Sequence, residues 1–489
     1  MSTDTNLVIN GNWQSASDGG TYAAINPARP KEILGQVAAG TATDVDAAFA
    51  AARSAAPGWA ALSYHERAAQ FEKVVEVLTA DQDHLQERIA LLTAENGKVL
   101  RESTMEISRL GDRFTQIAGY ADRLAADEEL PGPPFDTIVT REPYGVALLI
   151  TPWNWPLAIL GSKLPHALMA GNTVVIKPSE YAALSTALTI RLIADVLPPG
   201  VVNMVTGDGV VIGDSLTTHP EVDKISYTGS GPIGQHIMRK AADRLTPVTL
   251  ELGGNDAAVM LADADIGPET FMKLHMAGFI TSGQVCMAMK RLYVHESRFD
   301  EVVDGLRAFE DRQVVGDGSL PDTTMGPVIH EKQYRHVNGL VADARSKGAD
   351  VLELGTVPDQ DLFDNGYFVR PTLVVDADNE LAIVQQEQFG PIMPIVKFST
   401  DDEGIALANN SDYGLASSVW SADPDHGLAM ARRLEAGTTY LNAHGPSSQD
   451  ARAPFGGWKM SGFGVVHGFE GVRSFQRHHT ITASAGTFF

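Results

Sequence analysis

The middle of the chain, residues 144–250, is built from short apolar segments that alternate with longer amphipathic ones. The apolar segments predict strands at residues 146–150, 173–176, 201–205, 224–227 and 248–250. The amphipathic segments predict helices at residues 157–169, 184–196, 211–216 and 234–245. Repeated β-α-β units with continuous apolar strands indicate a parallel, doubly wound sheet that helices cover on both faces. The predicted fold class is therefore α/β.

The flanking segments extend this arrangement. Residues 44–116 follow a helical period, with Asp44 as the expected cap and turn chemistry at Asn96-Gly97. Beyond residue 255 a second α/β set predicts helices at 271–280, 299–309 and 334–347 and strands at 291–295, 373–375 and 392–398. The last residues, 479–489, are β-prone, which suits either an oligomerisation strand or a frayed terminus.

Composition excludes several classes of protein. The 489 residues include 37 Lys and Arg against 61 Asp and Glu, a formal net charge of −24 that argues against nucleic-acid binding. With one cysteine, the chain forms neither an internal disulfide nor a thiolate-rich metal site. No apolar run approaches the ~18 residues of a membrane span, and residues 1–10 lack signal-peptide chemistry. We therefore expect a cytoplasmic protein without a membrane partner or a metal.

A glycine-rich turn and a carboxylate follow two of the predicted strands. The stretch from Gly229 to Gly234 reads GSGPIG and matches the GxGxxG pattern, in which Gly229 and Ser230 would approach an anion at a helix start. Glu251 lies near the distance of about 20 residues at which such a motif places its ribose-binding acid. Two glycines follow Glu251, and such a position also suits a catalytic base. The sequence alone leaves both roles open.

Two further motifs follow predicted strands, where ligands of doubly wound sheets bind. Lys177 and Glu180 suit the two hydroxyls of an adenosine ribose, with a solvated ion pair as the alternative. Asn154 lies between two tryptophans; packing accounts for the rings of Trp153 and Trp155, but a buried amide needs hydrogen-bond partners.

Cys286 is the single thiol and falls in a loop before the strand predicted at 291–295. Loops on rigid scaffolds often carry reactive groups, although an inert buried thiol is the more common case. A nucleophilic role would need local activation, because a free thiol has a pKa near ~8.5. The sequence has no GxSxG elbow and no phosphate loop, and His330 and His336 are not at HExxH spacing. A cysteine–histidine hydrolase stays open, with none of the 14 histidines singled out.

These motifs, in this order, resemble those of the aldehyde dehydrogenase superfamily across nearly the whole chain. The likeness rests on ELGG from Glu251, GQVC ending at Cys286, EQFGP from Glu387 and PFGG around Phe455. The resemblance implies a dinucleotide-binding domain (1–124 and 143–254), a catalytic domain (255–457) and a small β bridging element (125–142 and 470–489). It also implies a homotetramer or a homodimer.

The resemblance assigns roles to the candidate residues. Cys286 is implied as the nucleophile, Asn154 as the oxyanion donor together with the Cys286 N–H, and Glu251 as the general base rather than a ribose ligand. The aldehyde would form a thiohemiacetal and then a thioester, which water activated by Glu251 would hydrolyse. The implied cofactor contacts are Trp153, Lys177, Glu180, Gly209, Gly229, Ser230, Glu387 and Phe389. Because Glu180 would repel a 2′-phosphate, NAD is expected rather than NADP.

An apolar substrate tunnel is implied as well. Its expected lining residues are Trp155, Ile159, Ser162, Ile280, Val285, Met287 and Phe455. Asn255, Met287 and the small Ser162 depart from the commonest family pattern. We expect an apolar, aromatic or medium-chain aldehyde rather than a charged semialdehyde, for which no arginine is assigned. The alternatives are a coenzyme-A-acylating relative, which the presence of Glu251 disfavours, and a catalytically silent binding protein on the same fold.

Overall fold

The computed structural model describes residues 4–489 and arranges the predicted β-α-β units around a large sheet, called the first sheet below. Its strands are, from edge to edge, Asn12–Gln14, Leu7–Ile9, Val202–Met204, Thr173–Lys177, Val146–Ile150, Lys224–Thr228, Val248–Glu251 and Gly462–Phe463. The inner strands run parallel, as predicted. The outer strands run antiparallel to their neighbours. At one edge, Asn10 and Gly11 adopt positive φ values of 53° and 77°, which a tight hairpin turn requires.

Helices cover both faces of the first sheet. Along the strand Val146–Ile150, Val146 and Leu148 belong to one apolar cluster while Ala147 and Leu149 belong to another, as side chains that alternate between two buried faces should. The helices of this part of the chain are Ala42–Ala60, Tyr64–Thr79, Gln82–Asn96, Leu100–Ser108, Leu110–Ala118, Ala121–Ala125, Pro156–Gly161, Leu164–Met169, Ala183–Val196, Gly209–Thr217 and Gly231–Ala242. Among the described residues, no helix is long and apolar enough to cross a membrane.

The prediction of one helix over residues 157–169 is wrong. The structure divides this stretch into Pro156–Gly161 and Leu164–Met169. Pro165 accounts for the break, because inside a continuous helix its ring would clash with the carbonyl of residue 161 and its missing N–H would interrupt the hydrogen bonds. At the break Lys163 leaves the helical conformation (φ −122°, ψ −55°), and its side chain is fully buried.

The first long helix, Ala42–Ala60, is capped by Thr41 and not by Asp44 as predicted. The Thr41 side chain accepts a hydrogen bond from the Asp44 N–H, and the Asp44 carboxylate accepts one from the Thr41 N–H, which together form a capping box. The turn predicted at Asn96-Gly97 is confirmed, since Gly97 ends a helix with φ 87°.

A second sheet holds the later α/β segments. Its strands are, in order, Asp350–Glu353, Thr372–Val375, Ile392–Phe398, Met289–His295, Asp256–Met260, Ala416–Trp420 and Thr438–Leu441. Neighbouring strands are parallel except for the first pair. The helices of the chain beyond residue 255 are Pro268–Gly278, Phe299–Glu310, Glu331–Ser346, Gln360–Asn365, Ala382–Gln385, Asp401–Asn409, Pro424–Ala431 and Gly468–Arg473. Short 3₁₀ turns occur at Glu180–Ala182, Ile280–Gly283, Glu296–Arg298 and Pro446–Ser448.

Smaller sheets complete the described structure. A hairpin joins Thr21–Asn26 to Arg29–Ala38, and a two-stranded antiparallel pair joins Tyr413–Gly414 to Trp458–Lys459. A third sheet, called the tail sheet below, has the strand order Gln476–Ser484, Phe135–Pro143, Glu128–Leu130. The carboxyl-terminal segment thus forms a strand that pairs with its own chain and not a frayed end. It also occupies an edge of that sheet.

Candidate active site

The loop that carries Cys286 begins with a left-handed turn. Thr281, Ser282 and Gly283 have φ values of 52°, 53° and 72°, so the chain leaves the preceding helix at residue 278, earlier than predicted. The Thr281 N–H donates to the buried Glu102 carboxylate (3.1 Å), and the Ser282 hydroxyl donates to the Gly326 carbonyl (2.7 Å). These bonds stabilise a backbone that non-glycine residues rarely adopt.

Asn154 is joined to this loop. Its Nδ2 donates to the Gln284 carbonyl at 2.8 Å, and the second hydrogen of the amide is left for another acceptor. The Lys98 ammonium donates to the Asn154 carbonyl (2.7 Å) and to the Glu106 carboxylate (2.5 Å), with both side chains fully buried. Glu106 also accepts from the Leu157 N–H (2.8 Å), which fixes the start of the helix after Asn154.

Lys290 supports the thiol loop from its other side. Its Nζ donates to the carbonyls of Cys286 (2.6 Å) and Val285 (2.7 Å) and lies 3.7 Å from Oε1 of Glu387. The same Glu387 oxygen accepts from the Gly254 N–H at 2.9 Å. Sequence reasoning missed both lysines: the carbonyl group that Lys98 contacts lies 56 residues away, and the local contacts of Lys290 within its own loop follow no recognisable motif.

The surroundings of Cys286 favour the neutral thiol. The residue is half-buried, and burial raises its pKa to about 12. The Lys290 ammonium lowers that pKa, whereas the carboxylates of Glu387, Asp256 and Glu251 raise it. The thiol therefore ionises readily only when a cationic neighbour is added or a carboxylate is neutralised.

Glu251 ends the strand Val248–Glu251 and is buried. Within residues 4–489 neither of its carboxylate oxygens has a hydrogen-bond partner. Burial raises the pKa of Glu251 to about 8, and the nearby Lys163 ammonium acts in the opposite direction. An unpartnered carboxyl group that titrates near neutrality is suited to exchange protons with water.

The predicted ribose contacts lie together at a strand end. The Lys177 Nζ is 3.3 Å from Oε2 of Glu180, whose side chain is one-third exposed (33%). A Cβ built on Gly209 would lie 3.9 Å from the Lys177 ammonium. Gly229 and Ser230 precede the helix Gly231–Ala242, and no Ser230 side-chain bond caps its first turn. The N–H groups there suit an anion.

Two of the remaining predicted cofactor residues, Trp153 and Phe389, form an aromatic pair. The Trp153 and Phe389 rings meet edge to face with centroids 5.4 Å apart. Phe389 has a φ of 49°, and its carbonyl accepts from Gln333 Nε2 at 2.9 Å. The Lys290 ammonium lies 5.9 Å from the Phe389 ring centroid, so these rings border the loop of Cys286.

The predicted tunnel residues converge around the thiol. One apolar cluster contains, or is packed by, Trp155, Ile159, Ile280, Val285, Met287, Phe455 and Cys286. Ser162 is also buried, but its hydroxyl donates back to the Ile159 carbonyl at 2.7 Å. Arg113, which the sequence did not single out, packs against Gly161, where an added Cβ would lie 3.1 Å from the Arg113 Cγ.

Known proteins are similar to this chain in sequence and in fold. The sequence model of the aldehyde dehydrogenase family matches residues 13–481. The chloroplastic betaine aldehyde dehydrogenase of Beta vulgaris is 36% identical over 488 residues, covering 98% of this chain and 96% of that protein. The peroxisomal aminoaldehyde dehydrogenase 1 of Pisum sativum is 36% identical over 486 residues, covering 97% and 95%.

The crystal structure of betaine aldehyde dehydrogenase from Staphylococcus aureus in complex with NAD+ has a TM-score of 0.92 and 33% identity to this chain. That likeness covers 99% of this chain and 97% of the crystallised one. The thiol loop, the anchored asparagine and the buried glutamate thus occur within a fold and a sequence that match along nearly their full length. The chain belongs to the aldehyde dehydrogenase family.

Proposed function

We propose that this protein oxidises an aldehyde to the carboxylic acid with reduction of NAD. The observation that carries the proposal is the convergence of Cys286, the anchored amide of Asn154 and the unpartnered carboxyl group of Glu251 beside one apolar cluster. A nucleophile, an oxyanion donor and a base are the groups that acyl chemistry on an aldehyde requires.

The chain's own residues account for the chemical steps. The Cys286 thiolate adds to the aldehyde carbonyl, and the negative charge that develops on oxygen is stabilised by the free N–H of the Asn154 amide and the N–H of Cys286. Oxidation of this thiohemiacetal leaves a thioester on Cys286. Glu251 then takes a proton from water, the hydroxide adds to the thioester carbonyl, and the carboxylic acid leaves as the Cys286 sulfur is released.

The residues at the strand ends fit a dinucleotide. Lys177 and Glu180 would hold the hydroxyls of the adenosine ribose beside Gly209, and the helix start after Ser230 would receive a phosphate. Glu387 and Phe389 would hold the nicotinamide side, where bound NAD supplies the hydride acceptor. The partly exposed carboxylate of Glu180 favours NAD over NADP by charge repulsion.

The apolar cluster supports an apolar substrate segment next to the thiol, as expected for an aromatic or medium-chain aldehyde. The carboxyl group of Glu251 supports hydrolysis of the thioester over transfer to coenzyme A.

The test is to measure NADH formation and product identity with hexanal and benzaldehyde, with and without coenzyme A. We expect hexanoic and benzoic acids at the same rate in both conditions, and no NADH from a Cys286→Ala variant. An acyl-coenzyme A product would favour the acylating alternative, and a wild-type protein that forms no NADH would favour a silent binding protein.

We also propose that the protein is a homo-oligomer that assembles through the tail sheet. The strand Gln476–Ser484 lies at the sheet edge, where backbone groups on its outer side are open to pairing. Leu130, Phe135 and Ile481 of this sheet are each more than one-third exposed, at 49%, 56% and 42%. The strand register places Leu130 and Phe135 on one face of the sheet and Ile481 on the other, and exposed apolar side chains beside an open sheet edge are typical of interfaces.

A further inference from the structure

Arg113 is a half-buried cation without an anionic partner of its own. It lies on the helix Leu110–Ala118, and its stem packs against Gly161. Its guanidinium donates to Gln116 Oε1 (3.1 Å), and Gln116 in turn donates to the Ala451 carbonyl (2.9 Å). In the described part of the chain no carboxylate forms an ion pair with it, although the neighbouring Asp112 raises its pKa while burial and Arg109 lower it. Guanidinium groups removed from water are normally paired with an anion. Arg113 therefore keeps N–H groups that can donate to a further acceptor.

Two buried histidines, His166 and His467, lie close enough to Arg113 for its positive charge to lower their pKa values. The His467 and His166 ring centroids are 6.4 Å apart, and both nitrogens of His166 are buried without a partner in residues 4–489. Burial, together with the charge of Arg113, lowers the pKa of His467 to about 3. Both rings are therefore neutral near pH 7, and each carries an N–H that can donate.

His467 has a strained backbone conformation, which the surrounding structure must stabilise. His467 has φ 64° and ψ 163°, a conformation found almost only in glycine. Strain of this kind is concentrated at functional sites, where surrounding structure holds a side chain in a required place.

The same histidine connects Arg113 to the substrate cluster. The His467 ring meets Phe455 edge to face at 6.1 Å, and Phe455 belongs to the apolar cluster that packs on Cys286. The apolar cluster thus contacts the thiol of Cys286 and, through Phe455, the neutral ring of His467. Arg109, one helical turn before Arg113, adds a second positive charge near it.

We propose that Arg113 anchors the distal end of the substrate and that this end is a carboxylate. The substrate would be a semialdehyde whose aldehyde reaches Cys286, whose methylene chain crosses the apolar cluster, and whose carboxylate receives two N–H bonds from Arg113 and one from His467. The inference rests on the proposed aldehyde oxidation. It replaces the expectation of an uncharged aldehyde, which rested on the lack of an arginine assigned to bind the carboxylate of a semialdehyde. It also implies that cationic aldehydes are repelled here.

The experiment compares matched neutral and anionic substrates in two arginine variants. The pair is hexanal and adipic semialdehyde, and the variants are Arg113→Met and Arg113→Lys, with Arg452→Gln as control because Arg452 is exposed and already paired with Asp450. We expect the wild type to prefer adipic semialdehyde over hexanal by about tenfold in kcat/KM. Arg113→Met should lose about ten- to a hundredfold on the semialdehyde, mainly through KM, and change hexanal by less than about threefold.

The other variants and an inhibitor distinguish a wrong role for Arg113 from a wrong proposed function. Arg113→Lys should fall between the wild type and Arg113→Met, Arg452→Gln should match the wild type, and adipate should inhibit hexanal oxidation in the wild type but not in Arg113→Met. Equal losses on both substrates, or a wild-type preference for hexanal or betaine aldehyde, would overturn the role of Arg113. A wild type that forms no NADH from any aldehyde would instead reject the proposed function on which the inference rests.

Discussion

The charges that surround Cys286 decide when it can react. Lys290 is the nearby cation, and Glu387, Asp256 and Glu251 are the nearby carboxylates. The chain alone therefore holds the sulfur in its protonated form until ligands change the local charge.

Alkylation of the free enzyme should report this high pKa. Because burial raises the pKa of Cys286 to about 12, the rate of iodoacetamide modification should keep rising with pH and show no plateau near the ~8.5 of a free thiol. The chain has one cysteine, so mass spectrometry follows a single site. A plateau at or below that value would contradict the electrostatic account.

Glu251→Gln should separate oxidation from hydrolysis. The first turnover should still form NADH, but steady-state turnover should fall by about 10²–10⁴-fold because no base activates water. In the wild type kcat should rise with pH through about 8, since Glu251 acts only when ionised and burial raises its pKa to that value. Rapid-mixing kinetics with Glu72→Gln as an exposed control would measure both effects. Loss of the first turnover as well would assign Glu251 a role before the thioester.

At the scale of elements, the left-handed turn before Cys286 can be tested by comparing its Gly283 with Gly348, a positive-φ glycine that follows the helix Glu331–Ser346. A Cβ on Gly283 (φ 72°) would lie 2.1 Å from the Gly390 carbonyl oxygen, whereas a Cβ on Gly348 (φ 85°) would meet nothing within 4 Å. Gly283→Ala should lower the free energy of unfolding by more than about 3 kcal/mol and abolish activity, and Gly348→Ala should cost about 1 kcal/mol. Urea unfolding of both variants gives the difference. Similar costs at the two sites would contradict the crowding at Gly283.

Elements with a strong local signal were predictable from the sequence. The strand Ile392–Phe398 has its predicted bounds, and the five predicted strands of the first sheet end within about two residues of theirs because continuous apolar runs define them. The break at Ser162 and Lys163 was missed, although Pro165 marks it.

The site could be predicted only in part. Cys286, Asn154 and Glu251 lie in recognisable motifs, and the structure brings the first two together through the Gln284 carbonyl. Lys98 and Arg113 carry no such signal, because their contacts lie dozens of residues away and depend on how helices pack. Long-range polar contacts are set by tertiary structure, which a local pattern does not encode.

For the whole molecule, the exposed tail sheet predicts an assembly that one charge should disrupt. Ile481→Glu places a carboxylate on an apolar, exposed position of the edge strand, and we expect the oligomer to dissociate into smaller species. Leu320→Glu adds the same charge to an exposed apolar position outside the tail sheet and serves as the control. Light scattering after gel filtration measures the mass. An unchanged mass in Ile481→Glu, or equal dissociation in both variants, would contradict assembly through this sheet.

The single thiol of the chain also has a consequence for oxidative stress. Once oxidised to a sulfenic acid, Cys286 has no second cysteine in the chain with which to form a protective disulfide. Further oxidation to the sulfinic acid is irreversible for most proteins, so only a small external thiol would preserve the sulfur. Activity in an oxidising cell would therefore depend on the reductant pool around the protein rather than on any repair built into the fold.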